Sequence, residues 1–187
     1  MDGATESRRV GWLSAGSAGL QAGMLGAWWM LMWLGLSDVW QRRGFWTAEN
    51  LMASAFYGDR AIRSGFAQRT LSGLALYLVL YSLLGALLAV VLRDRIPRFT
   101  ILLVSVAFGL SWYYFSFRLI WKSLLPLVAL LHSSESTLVG HLLFGAVLAR
   151  YPAYFVVNEA TQPLDPQPDV MTSDDDSRPP ISADECG

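Results

Sequence analysis

The fold of this chain is decided by the stretch from Thr70 to Leu92, TLSGLALYLVLYSLLGALLAVVL, which runs for 23 residues without a charged side chain. A helix needs about 20 mostly apolar residues to cross a bilayer, because the hydrocarbon core is about 30 Å thick and each residue adds about 1.5 Å. Two other uncharged stretches meet this requirement, 11–36 with 26 residues and 99–117 with 19. The sequence therefore predicts spanning helices at about 11–36, 70–92 and 99–118.

A fourth span is expected at about 136–155. Residues 136–149 carry no charge, and Arg150 then interrupts the run. An arginine near a helix end can extend its guanidinium to the membrane surface while its aliphatic stem stays in lipid. The shorter apolar segment 119–131, which contains Lys122 and Pro126, is expected to extend the third helix beyond the bilayer.

Composition supports the same class of protein. Apolar residues make up 53% of the chain and charged residues only 16%, against about a quarter in soluble domains. Residues 158–187 hold eight acidic residues, one arginine and five prolines, a composition that is typical of disorder. We therefore expect an all-α fold: a transmembrane four-helix bundle with an N-terminal tail (1–10), a membrane domain (11–157) and a disordered acidic C-terminal tail (158–187).

The segment 44–64 between the first two spans is too apolar for a simple loop. Two interpretations stay open: an amphipathic helix lying in the headgroup plane, or a short helix packed on the end of the bundle. Four arginines in and beside the segment are candidates for contact with lipid headgroups: Arg42, Arg43, Arg60 and Arg63. A lipid-modifying enzyme with its site in this segment is a further hypothesis.

The first span carries small residues at helical spacing. Ala15, Gly19 and Gly23 follow each other at steps of four, and Gly26 ends a second row beside them. Small residues let two helices approach closely in lipid, where the hydrophobic effect does not drive association between helices. This face is expected to pack against another helix of the chain, or alternatively against a second copy of the chain.

His141 is the one ionisable residue well inside a predicted span, and such a residue is a candidate for function. It could act as a proton relay or a ligand, or it could be a neutral histidine bonded across the bundle to Tyr77, Tyr81, Ser105 or a backbone carbonyl. His132 and Glu135 could join it at a metal only if the chain bends between them. No metal site and no cofactor are therefore expected.

The remaining acidic residues of the membrane domain do not suggest an active site. Asp38, Glu49, Asp59 and Asp94 are dispersed near span ends and form no carboxylate pair of evident spacing. No phosphate-binding loop, hydrolase or metalloprotease motif occurs, and nothing indicates nucleic-acid binding. By the positive-inside rule the two orientations are nearly balanced, with six basic residues on one side and seven on the other, and the dense cluster at 93–98 favours both termini in the cytoplasm.

Two short strings carry a resemblance to a known group of proteins. The residues GFWTAENL at 44–51 and GHLLFG at 140–145, with the small-residue second span, look like small bacterial inner-membrane proteins that have four spans. The resemblance implies a multi-pass protein of the bacterial inner membrane without an assigned activity. The expected function is a structural or accessory membrane component, whose partners are the lipid bilayer and other membrane subunits or a second copy. The alternative is a small transporter or channel with His141 in the bundle.

Overall fold

A computed structural model describes residues 2–63, 65–92, 97–121, 123 and 133–154. In chain order the helices are α1 (Asp2–Trp40), α2 (Thr47–Tyr57), α3 (Asp59–Ile62), α4 (Gln68–Leu92), α5 (Arg98–Phe115, continued by a π-helical segment at Ser116–Trp121) and α6 (Ser134–Leu148). The predicted all-α class is confirmed for this part of the chain. The predicted tail 158–187 and most of the segment 119–131 lie outside it.

Two helices, Gln68–Leu92 and Arg98–Trp121, are long and apolar enough to cross a membrane, which suggests membrane association. The helix α6 covers 15 residues, fewer than the about 20 that a span requires. In α1, glycine, serine and tryptophan dilute the aliphatic side chains between residues 11 and 36. The helices α1 and α6 are therefore proposed, rather than shown, to be the other two spans of a four-span arrangement.

The helices α1 and α4 pack with their backbones close together. A Cβ atom added to Gly19 would lie 2.5 Å from the carbonyl oxygen of Gly85, and one added to Gly23 would lie 2.5 Å from that of Tyr81. Gly26, one turn closer to the end of α1, faces the ring of Phe144 on α6. The small-residue face of α1 is thus occupied by α4 and α6 of the same chain, with Ala15 also buried.

The helices α5 and α6 form a second close pair. A Cβ added to Gly109 would lie 2.7 Å from the carbonyl oxygen of His141, and one added to Gly145 would lie 2.7 Å from that of Ser105. Since α1 contacts both α4 and α6, while α5 contacts α6, the helices lie in the order α4, α1, α6, α5. The side chains of α4 and α6 nevertheless meet in the interior, where the Tyr81 hydroxyl lies 2.9 Å from Nε2 of His141.

The outer surfaces of the long helices are apolar. Along α1 an exposed row recurs at every fourth residue: Leu20, Met24, Trp28, Met32 and Leu36. Along α4 a similar exposed row consists of Leu71, Ala75, Val79, Leu83, Leu87 and Val91. The interior between the helices is mainly apolar, so the long helices present apolar side chains on their outer as well as their inner faces, which is unusual for a water-soluble bundle.

The segment 44–64 contains α2 and α3, and α2 packs against the first half of α4. Seven consecutive residues of α2, 48–54, are buried. The backbone carbonyl oxygen of Glu49 occupies the space that a Cβ atom would need at position 73, so only glycine fits at this position. Gly58 ends α2 with φ of 59° and ψ of −150°, a conformation that is essentially restricted to glycine.

Candidate functional site

A hydrogen-bonded pair, Tyr81 and His141, lies in the interior between α4 and α6. Tyr81 is on the buried face of α4, where glycine and tyrosine recur at every fourth residue, and His141 is on the buried face of α6. The Tyr81 hydroxyl lies 2.9 Å from Nε2 of His141. The other ring nitrogen, Nδ1, lies 2.8 Å from the carbonyl oxygen of Thr137, one turn earlier in α6.

These two contacts define the tautomer of His141. A carbonyl oxygen can only accept a hydrogen bond, so Nδ1 carries a proton and donates it to Thr137. The neutral ring then offers Nε2 as an acceptor, and the Tyr81 hydroxyl donates to it. Both ring nitrogens therefore have partners while the imidazole is uncharged, which is the favourable state for a side chain with only 3% of its surface exposed.

Aromatic rings surround the pair. His141 makes edge contacts with the rings of Tyr81 and Tyr113, at centroid distances of 5.8 and 5.4 Å. Tyr77 stacks on Tyr81 at 5.8 Å, and Phe144 meets Tyr81 edge-on at 4.9 Å. The structure thus brings His141 together with the two tyrosines that the sequence offered as possible partners, and Tyr81 rather than Tyr77 is bonded to the imidazole.

A second polar cluster joins the end of α1 to the start of α6. Trp33 donates its indole N–H to the carbonyl oxygen of Ser136 at 2.9 Å. The side-chain amide of Gln41 donates to the hydroxyls of Ser37 and Ser136, at 3.1 and 3.0 Å. These residues, with Leu36 and Trp40, line a groove of about 400 Å³. The cluster ties two helix ends together and carries no titratable group.

Glu49 on α2 is a buried acid that the sequence interpretation treated as one of four dispersed carboxylates. Only 2% of its surface is exposed, and its Oε2 atom has no hydrogen-bond partner among the described residues. Burial raises the pKa of Glu49 to about 7, a backbone hydrogen bond opposes this rise, and the nearby charge of Asp38 adds to it. Glu49 also lies close enough to Tyr77 to interact with it electrostatically.

A signal for this burial is present in the sequence. Glu49 lies three and four residues before Met52 and Ala53, so it shares their face of a helix. An acid on the apolar face of an amphipathic helix is unusual. It indicates either that the face has been assigned wrongly or that the acid is buried. The dispersed spacing of the four acids along the chain concealed this, because Asp38 reaches Glu49 only through the packing of α1 against α2.

A network next to Glu49 holds α2 to the start of α4. The Thr70 hydroxyl donates to Oδ1 of Asn50 at 2.7 Å and accepts the backbone N–H of Ala67 at 3.0 Å. The amide of Asn50 donates to the carbonyl oxygen of Gly65 at 3.3 Å. Both side chains are buried, so each bond replaces one that water would otherwise supply.

Replacing Thr70 by valine should destabilise the protein, because it keeps the shape of the side chain but removes the buried hydroxyl that accepts the N–H of Ala67 and donates to Asn50. We expect the free energy of unfolding to fall by about 1–3 kcal/mol, the cost of a buried unsatisfied polar group. Thr100→Val, at an exposed position of α5, is the matched control. Thermal unfolding followed by circular dichroism measures both, and equal melting temperatures would contradict the role of Thr70.

The four candidate arginines lie around α2 and α3. Arg43 is 3.8 Å from the carboxylate of Asp38. Arg42 has φ of 59° and is exposed in the turn after α1, while Arg60 and Arg63 are exposed on α3 and just after it. The arginines are therefore available to headgroups, but Arg43 is partly engaged within the chain.

Metal ligands do not converge within the described parts of the chain. No group of three or more histidine, cysteine, aspartate or glutamate residues that could hold an ion is found there. His132, which the sequence suggested as a possible ligand together with Glu135 and His141, lies outside those parts.

Comparison with known proteins gives no assignment for this site. No family model, no curated protein and no solved structure matches the chain. Any function must therefore rest on the chemistry of the residues themselves.

Proposed function

We propose that this chain is a four-span protein of the bacterial inner membrane, which serves as an accessory component of a larger membrane assembly. The observation that carries the proposal is the pair of exposed apolar rows on α1 and α4. In water such rows would form a large hydrophobic patch, which monomeric soluble proteins rarely expose. In lipid the same rows are solvated without cost, while buried polar groups such as Tyr81 and His141 are hydrogen-bonded within the bundle.

The composition of the two rows favours different neighbours for them. The α4 row contains only leucine, valine and alanine, the side chains expected against lipid. The α1 row contains Met24, Trp28 and Met32, with Trp29 exposed beside it. Tryptophan and methionine are enriched in protein interfaces, so we assign the α1 row to a partner subunit. Self-association through α1 would use this row too, since α4 covers Gly19 and Gly23.

We propose in addition that both termini face the cytoplasm, as the basic residues at 93–98 indicate. The exposed Arg42, Arg60 and Arg63 then lie on the opposite side of the membrane, where they could bind acidic headgroups. The chain has one cysteine, Cys186, so a cysteine-free background is obtained with one substitution. Labelling of a cysteine at Gly44 in whole cells by an impermeant reagent tests the orientation, and protection there would contradict it.

The accessory role predicts that the chain stays with membranes after alkaline washing and co-purifies with other membrane polypeptides in mild detergent. A double variant of the α1 row, Trp28→Ala with Met32→Ala, should lose those polypeptides because it removes the bulkiest contacts of the interface. The matched control is Leu83→Ala with Leu87→Ala on the α4 row. Retention of every polypeptide by the α1 variant, or a partner-free particle that converts a substrate, would count against the proposal.

A small transporter or channel is the second candidate, and the buried Tyr81–His141 pair is the observation that favours it. A polar pair in the middle of a bundle is a recurring feature of proton and ion pathways. This candidate predicts that the chain in proteoliposomes conducts a proton or ion flux that His141→Ala reduces. An unchanged flux in that variant would remove it.

A further inference from the structure

We propose that Glu49 is a proton-binding site that holds α2 on the bundle: α2 is docked on α4 while the buried carboxyl is protonated, and loss of the proton releases α2. The site is outside the predicted spans, at the bundle end where α1 stops and α4 starts. It is a different site from the Tyr81–His141 pair, and its ligand is the hydrogen ion.

The first argument is the lack of compensation for a negative charge. Glu49 is almost completely buried, and Oε2 has no donor among the described residues. A buried carboxylate is tolerated when a cation or several donors surround it, and otherwise the group takes up a proton. The docked arrangement therefore fits the neutral acid.

The second argument is the charge on the surrounding elements. From α1, Asp38 faces Glu49 and disfavours a second negative charge. From the turn after α1, Arg43 is at 3.8 Å from Asp38, while the charge that acts on Glu49 is the negative charge of Asp38. From α4, Tyr77 is the facing titratable group, and a phenol is neutral below about pH 9.

The charged side chains of α3 and of the start of α4 are directed away from Glu49. Asp59 and Arg60 of α3 are exposed. Arg69 of α4 donates to the carbonyl oxygen of Arg60 at 3.1 Å and lies over the ring of Tyr57, 6.0 Å from its centroid. The charge that acts on Glu49 comes from Asp38 rather than from these groups.

The third argument is the backbone contact that couples the carboxyl to the position of the helix. The carbonyl oxygen of Glu49 lies against Gly73, and Ala53 lies one turn further along the same contact. The carboxyl cannot reach water while this contact is intact, because the surrounding turn of α2 is fully buried. Hydration of an ionised Glu49 therefore requires that α2 move away from α4.

The direction of the pH dependence follows from the two pKa values. In the docked state the pKa of Glu49 is about 7, and in a released helix it returns to its ordinary value of 4.5. The docked state binds the proton more tightly, so docking is strongest below about pH 4.5, weakens as the pH rises to about 7 and changes no further above it. The population of released α2 should increase about 30-fold between about pH 5.5 and about pH 8.5.

Thiol labelling of the full-length chain in detergent tests this inference. Cys186→Ser removes the native thiol, and Ala53→Cys places a small thiol in the contact with α4, where the native side chain has 0% exposure. Ala55→Cys, exposed on the same helix, is the reference, because the ratio of the two labelling rates cancels the pH dependence of the maleimide reaction. The ratio should rise about 30-fold over the same pH range as α2 is released.

Three further variants separate Glu49 from other groups. Glu49→Gln should give a ratio that is low and independent of pH, since the amide is neutral throughout. Asp38→Asn should move the transition to lower pH, because it removes the charge that opposes ionisation of Glu49. Glu135→Gln, an exposed acid of α6, should leave the transition unchanged. A constant ratio in the parent, or a transition retained in Glu49→Gln, overturns the proposal; if Glu49→Gln does not fold, an unmoved transition in Asp38→Asn overturns it.

Discussion

The variant Gly19→Ala is expected to lower the free energy of unfolding by about 2 kcal/mol or more, although alanine is the better helix former by about 1 kcal/mol. The added Cβ would lie 2.5 Å from the carbonyl oxygen of Gly85 and 2.7 Å from the Cα of Ala86. Both atoms belong to the backbone of α4, so a side-chain rotation cannot relieve the overlap. The helices α1 and α4 would have to separate along their whole contact.

The control for this variant lies one turn earlier on the same helix. Gly16 has only Val90 nearby, with Cγ2 at 3.7 Å from an added Cβ, which is ordinary van der Waals contact. Gly16→Ala should therefore leave the stability unchanged or raise it by up to about 1 kcal/mol. Unfolding of the detergent-solubilised chain by sodium dodecyl sulfate measures both variants. If the two midpoints coincided, the close approach of α1 to α4 would be wrong.

The second large effect is expected at His141. Its replacement by alanine removes the acceptor of the Tyr81 hydroxyl and leaves a cavity between the rings of Tyr81 and Tyr113. Buried large-to-small substitutions cost about 2–5 kcal/mol, and the unpaired hydroxyl adds about 1–3 kcal/mol. We expect the free energy of unfolding to fall by about 3 kcal/mol or more.

A conservative variant isolates the hydrogen bond from the packing. Tyr81→Phe keeps the ring and leaves Nε2 of His141 without a donor, so a loss of about 1–2 kcal/mol is expected, since hydrogen bonds between helices in membranes are of this size or smaller. Tyr114→Phe, on the exposed side of α5, should have no measurable effect. A double variant of Tyr81 and His141 with an additive loss would show that the two residues do not act as a pair.

The small-residue face of α1 shows how much of the fold could be predicted from the sequence. The spacing of Ala15, Gly19 and Gly23 predicted a flat helix face, because small residues four apart lie on one side of a helix. It left two possible neighbours for that face, a helix of the same chain or a second copy. The tertiary structure places α4 there, through contacts with Gly85 and Tyr81 that are more than fifty residues away in the sequence.

His141 and Glu49 illustrate the two outcomes for candidate site residues. His141 was identified because an ionisable residue inside an uncharged stretch is visible without any knowledge of packing. Its partner was one of four alternatives, and the arrangement of α4 beside α6 selected Tyr81 together with the Thr137 carbonyl. Glu49 was not identified as a candidate site residue. Its surroundings are built by α1, which precedes α2 in the sequence, and by α4, which follows it.

The sequence by itself determined that the described part of the chain is helical and where its two long apolar helices run, because apolar length and helical periodicity are local properties of neighbouring residues. It also determined which faces carry small residues. Only the tertiary structure decided that α2 is buried, that Asp38 opposes the charge of Glu49, and that Tyr81 is bonded to His141. Each of these depends on contacts between distant segments, and the solvation of a charge or a hydrogen-bonding group is set by all the segments that exclude water from it.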